Sequence, residues 1–158
     1  MSDEISLRNY RATDLDAMFR LDEACFAEAF RFDRESMREF AEERNAVVQV
    51  AENICGEIVG FVIAHLERVA SEWRAYVVTL DVAPEYRRKG LAGRLMKEAE
   101  ACAVSAGVRW IQLHVFTGND AAIRFYERVG YQRIRVRRGY YGAVGLDAIV
   151  YGKDLSGL

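Results

Sequence analysis

Residues 75–116 run AYVVTLDV, a loop APEYRRKG, a stretch with helical spacing, and WIQLHVF. A β-rich run, a helix and a second β-rich run in that order read as a crossover unit, and such units are parallel and right-handed. The chain's single proline, Pro84, sits just after the first run. Its nitrogen has no proton to give a sheet, so the chain must turn there. The helix that begins after Gly90 sets Leu91, Leu95, Ala99 and Cys102 on one face and Lys97, Glu98 and Glu100 elsewhere, and it ends at Gly107.

The flanking sequence supplies the rest of a sheet. Residues 5–10 alternate apolar and polar side chains as a strand does, and Thr13 with Asp16 reads as a helix N-cap with an acidic first turn. A second helix starts near Asp33, carries Met37 and Phe40 as an apolar stripe, and ends near Asn45. Residues 46–51 and 58–66 flank the turn ENICGE and form a hairpin. Residues 119–129 form a last helix closed by Gly130, and residues 131–138 and 147–153 flank a turn-like GYYGAVG and pair with each other. The expected order is β, α, α, β, β, β, α, β, α, β, β, an α/β (α+β mixed) fold with helices on the faces of a mixed sheet. No repeat or linker divides the 158 residues, so a single domain over 1–158 is expected.

Charge and composition narrow the function. With a net charge of −2 there is no large positive excess, so no nucleic-acid partner is expected. No apolar run approaches the roughly 18 residues of a membrane span, and the acidic N-terminus MSDEISLRNY is unlike a secretory signal, so no membrane and a cytoplasmic setting are expected. Three cysteines without CxxC spacing and two histidines give neither a disulfide framework nor a metal site.

The chemistry is expected where the first crossover strand meets its helix. The first N–H groups of a helix lack internal partners and carry the positive end of its dipole, which suits a phosphate group. Gly90 and the small Ala92 let the backbone approach an anion closely, and Arg87, Arg88 and Lys89 add charge. The loop matches neither the P-loop nor the dinucleotide-binding glycine pattern, and taken alone a basic tripeptide ahead of a helix is as readily a solvated corner.

Arg87, Arg88, Lys89, Gly90, Leu91 and Ala92, followed by Gly93, resemble the R-x-x-G-x-A form of the acetyl-CoA signature of the GNAT acetyltransferase superfamily. Downstream, HVFTGNDAAIRFYERVGY resembles the second half of that family's site, where Asn119 and Tyr126 would lie beside the pantetheine and thiol of the cofactor. Within the superfamily, NDAAIRFYERVGY, RRGYY and LDAIVY are similar to the N-terminal protein acetyltransferases of the RimI and NatE types. The resemblance covers almost the whole chain. It implies a GNAT fold, a mostly antiparallel sheet of about seven strands with helices on both faces, opened by a splayed parallel pair near 75–82 and 110–116 that holds the cofactor. It implies acetyl-CoA as co-substrate, bound by Leu80, Asp81 and Val82 on the strand and by Arg87 to Gly93 at the helix start, with no metal.

The NatE type pairs a strand tyrosine with a histidine, at positions that here are Tyr76 and His114, whereas RimI types carry glutamate at the latter. An amine attacks a thioester only when unprotonated, and an α-amino group of pKa about 7.7–8.0 needs less help than a lysine at about 10.4. His114 suits that task, directly or through a water that Tyr76 holds, although a lone histidine in an apolar strand is often a core residue. Tyr126 is the candidate proton donor to the departing thiolate, and the Val82 amide the candidate oxyanion donor. CFAEAFRF and GYY resemble the two walls of the family's peptide slot, with Phe26, Phe30, Tyr140 and Tyr141 as wall residues; the NatE pattern has proline at Ala27 and tyrosine at Phe30. The implied reaction is direct attack in a ternary complex on a protein or peptide N-terminus, a ribosomal protein among the candidates, by a monomer or weak homodimer. A lysine or small-amine acceptor, or a non-catalytic acyl-CoA-binding module, are the alternatives.

Overall fold

The computed structural model describes residues 4–142 and 144–158. Strands β1 (Ser6–Asn9), β2 (Ala46–Glu52), β3 (Ile58–Val69), β4 (Glu72–Val82), β5 (Trp110–Phe116), β6 (Gln132–Tyr141) and β7 (Leu146–Asp154) form one sheet in the order β1-β2-β3-β4-β5-β7-β6. All neighbours are antiparallel except β4 and β5, the pair joined by the expected crossover. The helices are α1 (Leu15–Cys25), α2 (Arg34–Glu42), α3 (Leu91–Ser105) and α4 (Asp120–Arg128).

Alternation along β3 shows how the faces are shared. A Cβ on Gly60 would touch Leu91 and Leu95 of α3, whereas His65, an odd number of residues along the strand and so on the other face, bonds the Phe40 carbonyl of α2 at 2.8 Å. Phe61, Ile63, Leu95, Met96, Ile111, Leu113, Ile149 and Tyr151 are buried to completion or nearly so. Asp33 caps α2 by accepting the Ser36 N–H at 2.7 Å.

Four local expectations are corrected. A 3₁₀ turn over Ala12–Asp14 precedes α1, so Thr13 is not its cap. Asp14 is held there by Arg8 Nη1 and Nη2, each at 2.8 Å, and by the Arg11 N–H at 2.7 Å. The β3–β4 hairpin runs on to Val69 and Glu72, fastened by the Arg74–Glu67 ion pair at 3.0 Å. β6 continues through Tyr141, so Tyr140 and Tyr141 belong to a strand end rather than a turn, because Gly139 takes φ +63 and donates its N–H to Asp147 Oδ1. Ala143 of the expected turn lies outside the described residues. Glu100, expected off the buried face of α3, is 3% exposed; the Tyr131 hydroxyl donates to it at 2.7 Å and Lys153 Nζ at 3.0 Å.

Candidate active site

β4 and β5 are bridged only at Ala75–Ile111 and Tyr76–Gln112, and beyond Tyr76 they part. On its other edge β4 stays paired with β3 to Val82, with a bulge at Val78 that bends it. The Ala83 N–H donates to the Val59 carbonyl at 2.9 Å, which makes Gly60–Val82 a non-hydrogen-bonded pair, as is Val62–Leu80 two residues earlier. The peptide groups of Leu80 and Val82 therefore point away from β3, into the gap between β4 and β5. Both residues present their backbone to that gap. Asp81 does not. Its own peptide groups face β3, and its carboxyl is fully buried, accepting from Thr79 Oγ1 at 2.6 Å on the side of α1. The side chain is a core group.

At the open end, Arg88 (φ +62) and Gly90 (φ +79) turn the chain sharply into α3. No side chain caps this helix, and the N–H groups of Leu91, Ala92 and Gly93 precede its first intrahelical bond, from the Arg94 N–H to the Gly90 carbonyl at 3.1 Å. A Cβ on Gly90 or Gly93 would meet nothing within 4 Å, so the approach is open. Arg87 is exposed, and its Nε donates to the Val82 carbonyl at 3.0 Å, which ties the loop to the strand end. Arg88 is exposed, and Lys89 Nζ lies 5.3 Å from the Tyr86 ring centroid. Asn119 caps α4 by accepting from the Ala122 N–H at 3.2 Å. Tyr126 is buried among Phe125, Tyr131 and Tyr151, and burial, with the Asp81 charge nearby, raises its hydroxyl above the usual tyrosine range. It keeps its proton throughout the neutral range and stays a donor.

Where the strands part, Tyr76 Oη lies 2.7 Å from His114 Nδ1, within one hydrogen bond. Tyr140 stacks flat on the His114 ring at 4.1 Å and 12°, with its hydroxyl 3.3 Å from that of Tyr76. His114 Nε2 is buried without a hydrogen-bond partner among the described residues. Burial first, then the charges of Arg137, Arg135 and Arg74, push the imidazole down to about 4, so it is neutral at physiological pH and has a lone pair to accept a proton. Burial raises the Tyr76 hydroxyl. Phe30 meets Phe116 at 5.0 Å and Tyr141 edge-on at 4.8 Å, which brings one wall residue of each expected segment together. Phe26 joins no ring contact among the described residues; its carbonyl accepts from Arg31 Nε at 2.7 Å. The sequence reading missed Phe116 as a wall residue and Arg135 and Arg137 as neighbours of His114; the alternating arginines of RIRVRR were the available signal.

Cys25 Sγ lies 3.3 Å from the Val82 carbonyl, but burial and the Asp81 charge raise its thiol to about 11. A thiol held that high is not a resting nucleophile, which disfavours an acyl-cysteine route.

The profile described as the acetyltransferase (GNAT) family matches residues 15–131. The chain belongs to the GNAT acetyltransferase family. This GNAT chain is 36% identical over 118 residues to the N-alpha-acetyltransferase RimI of Mycobacterium tuberculosis, covering 74% of the chain and 71% of that protein. It is 36% identical over 113 residues to the N-terminal acetyltransferase A complex catalytic subunit NAA10 of Arabidopsis thaliana, covering 70% of the chain but only 58% of that relative's length. The structure of Arabidopsis thaliana Naa50 in complex with the bisubstrate analogue CoA-Ac-MVNAL matches 94% of the chain and 97% of that protein, with a TM-score of 0.80 at 25% identity. No group of three or more metal-ligating side chains occurs among the described residues of this GNAT chain, and no helix there is long and apolar enough to cross a membrane.

Proposed function

We propose that this chain, as a single GNAT domain over 1–158, transfers acetyl from acetyl-CoA to the α-amino group of a protein or peptide N-terminus, in a cytoplasmic setting. The observation that carries the reading is the Tyr76–His114 pair, seated where β4 and β5 part and beneath the aromatic walls of Phe30, Phe116, Tyr140 and Tyr141. Relatives whose names describe N-terminal acetylation support the choice of acceptor.

The residues fit acetyl-CoA. The uncapped start of α3 suits its pyrophosphate, and the outward peptide groups of Leu80 and Val82 suit its amide-bearing arm. Bound acetyl-CoA supplies a thioester carbonyl open to attack by an amine. Neutral His114 accepts the amine's proton, directly or through a water held by Tyr76. The Val82 N–H, aimed into the gap, donates to the oxygen that gains charge. Tyr126, buried and protonated, donates to the departing sulfur.

Incubation with acetyl-CoA and a panel of free-N-terminus peptides beside N-blocked, lysine-containing ones tests this by mass spectrometry. Acetylation at the α-amine is expected. Acetylation of blocked peptides alone would move the acceptor to lysine, and an unmodified panel would leave a binding module.

A further inference from the structure

We infer that Arg135 and Arg137 make the peptide slot select acceptors whose residues just after the first are acidic. This rests on the N-terminal acceptor reading above. The sheet register supplies the geometry: His114 pairs with Val150, which pairs with Arg135, and Phe116 pairs with Ala148, which pairs with Arg137. Residues directly opposite share a face. The two arginines therefore stand on the same face as His114 and Phe116, two strands away, across a floor of fully buried Val150 and Ala148.

Two strand spacings come to about 10 Å, and an extended chain advances about 3.4 Å per residue. An acceptor with its amine at His114 thus brings its second to fourth residues to the arginines. Arg137 is anchored to the slot itself, its guanidinium carbon 5.2 Å from the centroid of the Tyr140 ring that covers His114.

The strand is rich in positive charge. β6 carries Arg133, Arg135, Arg137 and Arg138 and no acidic residue, in a protein of net charge −2. Arg133 is spoken for near the Tyr151 hydroxyl, which donates to Glu127, and Arg74 is paired with Glu67. Arg135 and Arg137, both exposed, enter no ion pair among the described residues. Their influence on the His114 ring shows that their field reaches the reacting end of the slot. Carboxylates on the acceptor are the partners that such a row fits.

The test compares kcat/KM for three peptides with the same first residue and length, with acidic, neutral or basic residues at the second to fourth positions, at low and high salt. The expected result is an acidic-over-basic preference of roughly 10-fold at low salt that shrinks at high salt. Arg135→Glu/Arg137→Glu is expected to reverse the order, and the milder Arg135→Gln/Arg137→Gln to bring the ratio towards one; thermal unfolding of each variant checks its fold. Equal kcat/KM for the three peptides, or an order that both variants preserve, overturns the inference and leaves N-terminal acetylation standing. Failure to acetylate any free-N-terminus peptide instead overturns the functional reading beneath it.

Discussion

The carboxyl groups of Asp22 on α1 and Asp81 on β4 come together inside the core, and Asp22 Oδ1 and Asp81 Oδ2 are buried with no hydrogen-bond partner among the described residues, so the pair calls for a proton between them. The outer oxygens are served, Asp22 Oδ2 by the Phe32 N–H at 3.0 Å and Asp81 Oδ1 by the Thr79 hydroxyl at 2.6 Å. Burial, then the neighbouring carboxyl, holds Asp81 well above the usual carboxylate range. The folded state therefore binds this proton more tightly than the unfolded chain does. Above the unfolded pKa of about 3.9 the folded form carries the excess proton, so this pair's contribution falls as pH climbs towards neutrality. Asp81→Asn keeps the shape, supplies a permanent donor to Asp22 and removes the titration. Its melting temperature is expected to exceed that of the wild type by a few degrees at neutral pH, with the gap closing near pH 5. Scanning calorimetry across that range would refute the shared proton if the gap widened on acidification.

His114→Ala is expected to lower kcat by ~10²–10⁴-fold. Because the imidazole sits near 4, the wild-type kcat/KM should rise with the acceptor amine's own ionisation near about 7.7–8.0 and show no break at the ordinary histidine value. Steady-state rates from pH 5 to 9 check this. A break near 6.5 that disappears in the variant would mean that the ring is not held neutral.

Gly90→Ala places a side chain at φ +79, a conformation that costs an L-residue about 1–2 kcal/mol. Since a Cβ there meets no neighbour, the effect should come through the backbone: a modest loss of melting temperature and a KM for acetyl-CoA raised several-fold. An unchanged KM would show that the helix start does not grip the cofactor.

Gly152→Ala pushes a methyl group into the Trp110 ring, which cannot swing away freely because its Nε1–H donates to Gln112 Oε1 at 3.0 Å. A destabilisation of about 1–3 kcal/mol is expected from overpacking. Trp110→Leu in the same chain should recover part of it, and denaturant unfolding of the four-member cycle would expose strict additivity if the contact were not the cause.

Much of this architecture is legible from local pattern. Alternation in 46–51 and 58–66, the helical spacing after Gly90 and the crossover between 75 and 116 each report a short stretch of backbone, and each element is present. The resemblance also pointed to Tyr76 and His114, which the parallel bridge at Tyr76–Gln112 brings into one hydrogen bond. What escaped depends on partners distant in sequence. Glu100 looks like a surface residue until Tyr131 and Lys153 arrive to bury it, and Asp81 looks like part of a ligand edge until strand parity turns it towards Asp22. The end of β6 was misplaced because Gly139 looks like a turn residue, whereas Asp147 across the hairpin holds it in the strand.

A sheet fastened at one end of its central seam has a line of mechanical weakness. β1–β4 and β5–β7 are joined across that line by the bridges at Ala75 and Tyr76, with α3 as a strap. A ligand lying between the lips would act as a cross-brace, binding the halves into one cooperative unit and raising the free energy of every opening that separates them. On the proposed function, resistance to heat and to proteolysis should then follow the acetyl-CoA concentration around the protein, tying the lifetime of the fold to the supply of its ligand.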